Sequence, residues 1–569
     1  MLIFLTNNCI LHRKFLQLPK IKTDFMKKLL PLLICGIFTL ISNTAGAQTS
    51  PTFTWAVPEV FNTTSSFNGS QSVVAADQYS GVAFASVETW AENYNPYSLG
   101  TLQLRHYLAN GTSDWNKIFT GKATVGQMRY AANGNLYITG HYRTSVEFGA
   151  QYSFSSALVG PQAYIACFDN AGNTLWAIDM GQQFGPTLYT EGLATDAQSN
   201  VYFASCSGAN LSTANVVSIR KFSPTGQPLA TIQQSANDIS SLDVDPLGNV
   251  YVTGSCLNNN GATFGGVHYN HNVSGNGYNR YLVRYRPNGI PAWVKFSGDV
   301  TCPIGEVKCN GAQGAYWIGE LLHDATFDNI TLTGPANGGT WDYMLARLDT
   351  AGNYVWVKEV ATQQNTGAGI LGGHCMEVDA AGNVTITGTQ TGEIAWGNGV
   401  SSNATGNYDP MMVRYNPAGT VLWAKVATNP NTHDFGYSLS NSPDGSVYLT
   451  GMTKGTLTLD ALTITNPNAT INYNFLAKLS TGVVNTAEAL IKPALSVFPN
   501  PATECITVTI DGTVQQIEVL DLLGRVCITK GTASRESIVL PLAGLQAGTY
   551  LIRTSGKEGS QSAIFHKAE

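Results

Sequence analysis

The sequence predicts an all-β protein built mainly from one repeated unit, with a smaller β-rich domain at its C-terminal end. Three observations carry this prediction. The 569 residues include 58 Gly and 25 Tyr but only 12% charged residues, a composition typical of many short strands joined by tight turns. A turn-and-strand motif recurs through the middle of the chain. After about residue 487 this repeat stops, and short strands separated by glycines follow.

The first repeated motif is a turn followed by a short strand of β-branched and aromatic residues. Its clearest form is Gly-Asn-Val-Tyr-Val-Thr-Gly at 248–254. Seven copies begin at Gly81, Gly134, Ser199, Gly248, Gly314, Gly382 and Gly445. A motif that is repeated at roughly regular intervals along the chain predicts a repeat architecture in which neighbouring units pack against one another.

The second motif lies between the copies of the first. It is an apolar strand, a glycine turn and a Trp four residues after the glycine. The Trp residues of this motif are Trp115, Trp176, Trp293, Trp356 and Trp423. One copy, at Gly226, has Ala230 in the Trp position. We interpret the repeated Trp as a wedge between neighbouring units, because a large aromatic side chain at a fixed place in each repeat buries much apolar area.

The two ends of the repeat are defective in complementary ways. The last copy ends at Gly482 without a following Trp, whereas Trp55 has no strand before it. A first strand around 52–57 would complete the hairpin begun by 475–479. Closure of this kind leaves no exposed sheet edge. We therefore predict that residues 48–486 form a seven-bladed β-propeller closed by its N-terminal strand.

Acidic residues recur in the turns of the first motif. Asp196, Asp245 and Asp379 stand where an Asp side chain caps a type I turn. A calcium site needs several acids in one loop, and each of these turns offers only one or two. We interpret them as turn residues. Together the two motifs resemble the β-propeller repeats of exported bacterial proteins.

Residues 1–47 predict an upstream segment and a cleaved signal peptide. Met26 and two lysines precede thirteen mostly apolar residues, and a small-residue stretch ends at Ala47 before Gln48. The apolar run is shorter than the ~20 residues of a membrane-spanning helix. We predict translation from Met26, cleavage between Ala47 and Gln48, and no transmembrane segment in the mature chain.

The charge of the mature chain differs from that of the whole sequence. Residues 1–47 hold six bases and one acid, so their removal leaves 25 bases and 36 acids and changes the net charge from -6 to -11. Proteins that bind phosphate backbones need clustered Lys and Arg. The sequence therefore argues against a nucleic-acid partner, and it gives no electrostatic reason to bind anionic membrane surfaces.

The C-terminal residues 494–569 contain seven short β-rich runs, which predicts a small immunoglobulin-like β-sandwich. Residues 487–493 form the predicted linker before it. Three motifs in this region are specific, and their central residues are Pro499, Asn500 and Pro501, then Gly524 and Arg525, then Gly548 and Tyr550. In order and spacing they resemble the type A C-terminal sorting domain of the type IX secretion system.

This resemblance implies a route out of the cell. It predicts that the type IX secretion machinery of a Gram-negative bacterium carries the chain across the outer membrane. A peptidase at the cell surface would then remove the domain, leaving the cargo secreted or attached to the outer surface. The secretion machinery and its peptidase are thus the partners that the resemblance implies.

Motifs for catalysis, metal binding or cofactors are not recognisable, so we predict no catalytic residue, no metal and no cofactor. His268 and His271 are close in sequence, but without a third ligand we favour a solvated loop. The cysteines leave two readings open. Cys302 with Cys309, and Cys505 with Cys527, could form disulfides in an oxidising compartment or remain buried free thiols.

A ligand site is expected on the propeller face reached just before each innermost strand. The candidate residues there are Glu191, Asp238, Glu306, His374, His433 and Asp434, with the aromatic residues Tyr189, Trp341 and Tyr437. Two functions remain open. The first is a non-catalytic surface or secreted protein that binds a glycan or a protein. The alternative is a hydrolase or lyase that acts on polysaccharide through paired carboxylates.

Overall fold

The computed structural model describes residues 50–568 apart from short internal stretches. The stretches left out are 60–67, 90–98, 158–160, 185–188, 208–214, 237, 258–261, 271–277, 301–304, 322–323, 336–341, 361–365, 372–373, 431, 466–470, 482–496, 509–513, 522–524, 535–537 and 557–558. The predicted signal peptide with its Ala47–Gln48 cleavage position, the linker, His271, Cys302, Trp341 and Gly524 lie outside the described residues. In the part that is described, no helix is both long and apolar enough to cross a membrane.

The described chain is all-β. Its one helix among these residues is Met180–Phe184. The first strand is β1 (Thr52–Pro58), which belongs to the last of seven main sheets. Each of the other six is formed by strands from one continuous stretch of the chain, and we number the sheets in chain order. Sheet 1 contains β2 (Asn68–Ala76), β3 (Val82–Thr89), β4 (Thr101–Tyr107) and β5 (Ser113–Ile118). Sheet 2 contains β6 (Thr120–Ala123), β7 (Gln127–Tyr130), β8 (Leu136–Glu147), β9 (Ser153–Ser155), β10 (Gln162–Phe168) and β11 (Thr174–Asp179). Sheet 3 contains β12 (Tyr189–Thr195), β13 (Val201–Ser207), β14 (Asn215–Phe222) and β15 (Pro228–Ala236).

Sheets 4 to 7 are likewise antiparallel sheets with at least four strands each. Sheet 4 contains β16 (Ser241–Val244), β17 (Val250–Leu257), β20 (Tyr278–Tyr285) and β21 (Pro291–Val300). The chain between β17 and β20 forms the hairpin β18 (Ala262–Phe264) and β19 (Val267–Tyr269), which pairs with β15 and extends sheet 3 to six strands. Sheet 5 contains β22 (Gly305–Cys309), β23 (Ala315–Glu320), β26 (Tyr343–Leu348) and β27 (Tyr354–Glu359), with the hairpin β24 (Ala325–Phe327) and β25 (Ile330–Leu332). Sheet 6 contains β28 (Gly367–Gly369), β29 (Met376–Val378), β30 (Val384–Thr391), β33 (Asp409–Tyr415) and β34 (Val421–Val426), with the hairpin β31 (Glu393–Gly397) and β32 (Val400–Asn403). Sheet 7 contains β35 (Phe435–Asn441), β36 (Val447–Thr453), β39 (Tyr473–Ser480) and β1, with the hairpin β37 (Thr456–Leu459) and β38 (Leu462–Thr465).

The predicted pairing between the N-terminal strand and the last repeat is present. β1 lies antiparallel to β39, and Trp55 stands opposite Lys478. The Trp residues of other sheets hold the same register position, since Trp115 stands opposite His106. The first strands of the seven sheets also contact one another in sequence, and β35 of sheet 7 contacts β2 of sheet 1. These contacts form a closed cycle.

Trp side chains fill the junctions between consecutive sheets, as the sequence predicts. Five of the indoles lie against the turn glycine of the next sheet and donate their N–H to the carbonyl two residues before that glycine, whereas the buried Trp423 N–H has no partner among the described residues. The five bonds of this kind run from Trp55 to Ala109, Trp115 to Asn170, Trp176 to Pro224, Trp293 to Thr350 and Trp356 to Pro417, at 2.8–3.0 Å. A Cβ atom on Gly352 would lie 2.8 Å from the Trp293 ring, so this contact requires glycine.

The acidic turn residues have the predicted role. Asp196 Oδ1 accepts hydrogen bonds from the backbone N–H groups of Gln198 and Asn200, at 3.0 and 2.9 Å. Asp245 makes the equivalent bonds in sheet 4. Each carboxylate thus satisfies backbone donors of its own turn, which is the chemistry of an Asx turn.

Short hairpins between the second and third strands of sheets 4 to 7 were not predicted. Two of them are tied to the outer strand of the preceding sheet by ion pairs. Lys295 of β21 contacts Asp328 at 2.9 Å, and Lys425 of β34 contacts Asp460 at 2.8 Å. The hairpin of sheet 4 goes further, because β18 pairs directly with β15 of sheet 3.

The C-terminal region contains two further sheets. One holds β40 (Val497–Phe498), β41 (Cys505–Val508) and β44 (Ile538–Pro541), and the other holds β42 (Val514–Leu520), β43 (Val526–Ser534), β45 (Gly548–Gly556) and β46 (Gly559–Lys567). Their apolar residues form one buried cluster that includes Ile506, Val519, Leu540 and Phe565. Each of the seven β-rich runs predicted here overlaps one of these strands.

Candidate functional site

A cluster of charged side chains lies on the first strands of several sheets. It contains Arg129 of β7, Glu306 and Lys308 of β22, and Glu377 of β29. Lys308 Nζ lies 3.3 Å from Glu306 and 3.0 Å from Glu377, and Arg129 lies 3.4 Å from Glu377. Because β7 belongs to sheet 2 and β29 to sheet 6, the Arg129–Glu377 pair joins two sheets that are not consecutive. We call these four residues the inner charged cluster.

Glu306, one of the predicted site residues, connects two sheets. Its Oε2 accepts a hydrogen bond from the backbone N–H of Met376 at 2.9 Å and one from the Cys375 thiol at 3.2 Å. Met376 begins β29, an edge strand whose outward N–H groups need partners. Asp243 of sheet 4 accepts the Cys309 N–H of sheet 5 in the same way, at 2.8 Å. Burial raises the pKa of Glu306 above its ordinary value, with Lys308 opposing the shift.

His374 lies next to this cluster and is 4% exposed. Its Nε2 has no hydrogen-bond partner among the described residues. Burial, followed by the charges of Lys308 and Arg129, holds the pKa of His374 well below its ordinary value. The imidazole is therefore neutral at physiological pH and is enclosed rather than presented to solvent.

Asp238 forms a second group, between sheets 3 and 4. Its carboxylate accepts the backbone N–H of Ser255 at 2.6 Å, and its carbonyl accepts the Tyr281 hydroxyl at 2.8 Å. Burial raises the pKa of Asp238 to about 6, while hydrogen bonds from Ser255 and the charge of Arg280 act against the shift. This carboxylate is held by the backbone of its own sheet.

Asp434 and His433 form a third group at the start of β35. Asp434 is fully buried and accepts hydrogen bonds from the Lys454 N–H at 2.8 Å and the Thr432 hydroxyl at 2.9 Å. Burial raises the pKa of Asp434 to about 6, with a smaller contribution from Asp409. His433 is exposed, and its ring lies 5.0 Å from that of Tyr408.

The predicted residues thus fall into three groups. Glu306 and His374 come together at the inner charged cluster, whereas Asp238 and Asp434 each have their own partners. Glu191 and Glu306 lie within first strands rather than in the loops before them. Tyr437 is also in a strand, is 7% exposed, and donates its hydroxyl to Met452 Sδ at 3.4 Å. Tyr189 begins β12.

Sequence reasoning missed Arg129, Lys308 and Glu377. In β22, Glu306 and Lys308 flank Val307, a pattern that ordinarily places charged side chains on a solvent face, whereas the structure buries all three. The repeated motifs begin at the turn after each first strand and do not include the strand itself. The pairing of Arg129 with Glu377 depends on the closed cycle of sheets, which no local pattern contains.

An open groove of about 600 Å³ lies where sheet 3 meets sheet 4. Its lining residues are Arg220, Thr231, Ile232, Gln233, Gly265, Gly266, Asn288 and Gly289. Gly289 is the turn glycine of sheet 4, the position against which an indole lies at the five Trp junctions. We call this feature the sheet 3–4 groove.

Metal and thiol chemistry have little support in the described residues. These contain no group of three or more His, Cys, Asp or Glu side chains placed to hold a metal ion. His268 is exposed, with its ring nitrogens 3.3 Å from Thr263 and 3.0 Å from Asn270. Cys505 and Cys527 are both exposed free thiols. Burial raises the pKa of Cys309 well above its ordinary value, so this thiol is not an activated nucleophile.

Of the sorting-motif residues that the structure describes, Tyr550 is buried, whereas Pro499, Asn500, Pro501, Arg525 and Gly548 are exposed at the surface of the C-terminal sheets. Asn500 Oδ1 accepts the backbone N–H of His566 at 2.8 Å, which ties the Pro-Asn-Pro segment to β46. Arg525 donates to Asp521 at 2.7 Å. Tyr550 stacks on Phe565 with ring centroids 5.8 Å apart, and its hydroxyl donates to the Gln546 carbonyl. Gly548 begins β45.

Comparison with known proteins identifies the C-terminal domain. Residues 496–565 match the family described as "Secretion system C-terminal sorting domain". The resemblance predicted from the motifs around Pro499, Arg525 and Tyr550 is therefore confirmed. The domain indicates export through the type IX secretion system, to the cell surface or into the medium.

Whole-chain comparisons are less informative. No curated protein matches the chain. Among solved structures, a protein of unknown function from Dyadobacter fermentans has 10% identity and a TM-score of 0.37, covering 76% of this chain and 99% of its own. The Dos1 propeller has 11% identity and a TM-score of 0.35, with coverage of 76% and 95%. A gluconolactonase from Xanthomonas campestris has 12% identity and a TM-score of 0.30, with coverage of 75% and 98%. TM-scores this low carry no conclusion about fold or activity.

Proposed function

We propose that this chain is an exported, non-catalytic binding protein whose ligand is a glycan or a protein. In this proposal the seven sheets are the blades of a β-propeller, and residues 494–569 are an immunoglobulin-like sandwich. A signal peptide within residues 1–47 directs the chain to the periplasm, and a surface peptidase releases the sorting domain at the linker 487–493. The protein then acts from the outer surface or in the medium.

The observation that carries the non-catalytic role is the engagement of the predicted acids. Glu306 accepts the Met376 N–H of the next sheet, Asp238 accepts the Ser255 N–H, and Asp434 accepts the Lys454 N–H. A glycosidase needs two carboxylates that face one substrate, about 5 to 10 Å apart, with one free to give or take a proton. Here each predicted acid is committed to backbone donors in a separate group. The Glu377 carboxylate, which lies close to Glu306, forms ion pairs with Lys308 and Arg129. These engagements support a structural role.

The groups that remain for binding are those exposed at the surface. Of the candidate residues whose side chains are described, His433 is exposed, and its ring lies 5.0 Å from the tilted ring of Tyr408. Aromatic and imidazole groups of this kind can contact either a sugar ring or a protein surface. This supports binding, and it does not choose between the two ligand classes.

A binding screen with turnover measured in parallel tests this function. The purified full chain would be applied to a glycan array and a panel of extracellular proteins, and the same glycans would be assayed for new reducing ends or unsaturated products. We expect a bound ligand that is recovered intact. Product formation that is lost in Asp434→Asn, with the variant still folded, would favour the polysaccharide-cleaving alternative instead.

The export route is tested separately. Deletion of residues 494–569 should leave the remaining protein in the periplasm, because the sorting domain is what the secretion machinery recognises. Cell fractionation and surface labelling of the deletion strain measure this. Undiminished surface labelling would refute the assignment of the domain as the sorting signal.

A further inference from the structure

A base on the third strand of several sheets pairs with an acid in the turn after the first strand. This base stands opposite the Trp position of the fourth strand, as Arg284 stands opposite Trp293. The pairs of this kind join Lys221 to Asp196, Arg284 to Asp245, Arg414 to Asp379 and Lys478 to Asp444. Lys and Arg side chains ordinarily stay charged throughout the physiological pH range, so these four pairs do not depend on the acidity of the medium.

Sheet 1 has a histidine at this position. His106 of β4 stands opposite Trp115, and its ring stacks on the indole with the two centroids 5.5 Å apart. His106 Nε2 lies 2.9 Å from Asp77 Oδ2 in the turn after β2, which is the pairing that the other sheets show. His106 Nδ1 lies 2.9 Å from Oδ2 of a second acid, Asp114 of β5. Because His106 is only 5% exposed, these carboxylates are the partners of its two ring nitrogens.

Two carboxylates at hydrogen-bond distance require two N–H donors from the one ring. A neutral imidazole has one N–H and one acceptor nitrogen, whereas an ionised carboxylate can only accept. With a neutral ring, one of the two contacts would place an acceptor nitrogen against an acceptor oxygen. The protonated imidazolium satisfies both contacts with charge-assisted hydrogen bonds, which are stronger than neutral ones. The geometry around His106 therefore fits the charged ring.

The Asp77 carboxylate is held in its ionised form by its own turn. Its Oδ1 accepts the backbone N–H groups of Tyr79 and Gly81, both at 2.7 Å. Hydrogen bonds of this kind favour the charged carboxylate. The proton shared between His106 and Asp77 therefore belongs to the imidazole ring.

Two tyrosines on other elements interact with the same carboxylates. Burial and the charges of Asp77 and Asp114 raise the pKa of Tyr130 of β7 above its ordinary value. Burial, followed by the charges of Asp444 and Asp77, raises the pKa of Tyr448 of β36 in the same way. Both hydroxyls therefore keep their protons in the physiological range, where histidine is the side chain that ordinarily changes its charge.

The Asp114 contact holds a strand that has little else to hold it. β5 lies at the edge of sheet 1, and four of its six residues are exposed. Segments with few buried contacts are those that open locally in a folded protein. The turn between β4 and β5 also meets the closing strand, because the Ala109 carbonyl accepts N–H groups from Trp55 at 3.0 Å and from Lys478 at 3.1 Å. Motion of β5 would thus reach the junction between sheets 7 and 1.

We propose that His106 makes the closure of the cycle of sheets sensitive to pH, a property that goes beyond the proposed binding function. In acid the imidazolium bridges Asp77 and Asp114 and holds β5 against β4. When the ring loses its proton, one of the two hydrogen bonds is lost, and β5 and its turn with β4 loosen. The folded state binds this proton more tightly than the unfolded chain, so the contribution to stability is present at low pH and is lost as the pH rises.

Hydrogen exchange of the full chain at several pH values tests this inference. The variant His106→Lys gives sheet 1 the permanent charge of the other sheets, and its exchange would be measured beside that of the unaltered chain. The intrinsic pH dependence of exchange and the titration of other groups are common to both chains and cancel in the ratio of their rates. For 113–118 and 52–58, this ratio of unaltered chain to variant should rise roughly tenfold between about pH 5 and 8, which corresponds to the loss of one hydrogen bond to a charged group.

Asp114→Asn is the second variant, on a side chain that is 43% exposed and whose replacement should leave the chain folded. An Asn amide can donate to the neutral ring nitrogen and its oxygen can accept from the charged ring, so the bond to β5 persists at both ends of the pH range. The same ratio, taken against this variant, should rise in the same way, and it decides the matter alone if His106→Lys fails to fold. Ratios that do not change with pH would overturn the inference, as would stronger protection of 113–118 at the higher pH than at the lower.

Discussion

The junction between sheets 7 and 1 and the junction between sheets 3 and 4 join their sheets by different means. At the first, Trp55 donates to the Ala109 carbonyl at 3.0 Å, and the Tyr448 hydroxyl donates to the Ser80 carbonyl at 2.5 Å. At the second, the Trp position is Ala230, and β15 instead pairs with β18, a strand that the chain forms between β17 and β20 of sheet 4.

This difference follows from where each junction lies in the chain. Sheet 7 combines strands from the two ends of the repeat. The chain continues from β1 into sheet 1, so only non-covalent contacts hold β1 to the other strands of sheet 7. The Trp wedge and the tyrosine bond add to those contacts. Between sheets 3 and 4, backbone pairing of Gln234 and Ser235 with the β18 hairpin supplies hydrogen bonds across the junction. The junction that lacks a Trp wedge is therefore joined by backbone pairing instead.

The largest expected effect is at the closing junction. Trp55→Ala removes a half-buried indole and its hydrogen bond, so its cost should lie below that of a core Trp, at about 2 to 3 kcal/mol. Ile232→Ala at the sheet 3–4 junction removes a half-buried side chain and should cost about 1 kcal/mol. Urea unfolding of the two variants measures both values, and hydrogen exchange should show that Trp55→Ala frays 52–58 first. A smaller loss for Trp55→Ala than for Ile232→Ala would contradict this account of closure.

The second largest effect compares the stability that a charged hydrogen bond between two sheets contributes with the stability that a neutral one contributes. Glu306→Ala leaves the Met376 N–H and one side of Lys308 without a partner, and removal of one member of a buried ion pair costs about 3 kcal/mol. At the closing junction Ser438 accepts the Val74 N–H at 3.3 Å, a neutral bond. Ser438→Ala should cost about 1 kcal/mol.

Thermal and urea unfolding of Glu306→Ala and Ser438→Ala make this comparison, with Glu306→Gln as the matched variant that retains one acceptor oxygen. We expect Glu306→Gln to fall between the other two. Equal stability of Glu306→Ala and the unaltered chain would show that the carboxylate does not connect sheets 5 and 6.

Sheet 4 should also respond to pH through Asp238, whose carboxylate is bound within that sheet. Burial raises the folded-state pKa of Asp238 to about 6, above its value in the unfolded chain. The folded state therefore binds the proton more tightly, so this group's contribution to stability is complete below about pH 4 and is lost as pH rises through about 6. Urea midpoints between pH 4 and 8 should fall with rising pH less steeply in Asp238→Asn than in the unaltered chain. Parallel pH profiles would show that Asp238 does not titrate near 6.

The closure of the cycle of sheets was predictable because the repeated motif is incomplete at both ends, and each end supplies what the other lacks. Trp55 lacks a strand and 475–479 lacks a Trp, and the pairing of β1 with β39 supplies each. The pairing of Arg129 with Glu377 was not predictable in this way, since 248 residues separate them and only the closed cycle brings them together.

The hairpins and the groove escaped prediction for another reason. Strands of three residues such as β18 and β24 are too short to show an alternating pattern. The sequence shows Ala230 in the Trp position, but it does not show whether neighbouring side chains occupy the volume that an indole would fill there. That outcome depends on the β15–β18 pairing and on the place of Ile232, which are tertiary features.

The smallest expected effect would restore the missing wedge. Ala230→Trp should place an indole against Gly289, where five other junctions have one, and cavity-filling substitutions commonly add about 1 kcal/mol of stability. Leu229→Trp is the matched control, because it adds the same side chain at a neighbouring residue whose side chain points to the opposite face of the strand. Urea unfolding should show a gain for Ala230→Trp and none for Leu229→Trp. Equal gains would mean that surface apolarity alone, rather than the indole position of the repeat, accounts for the stabilisation.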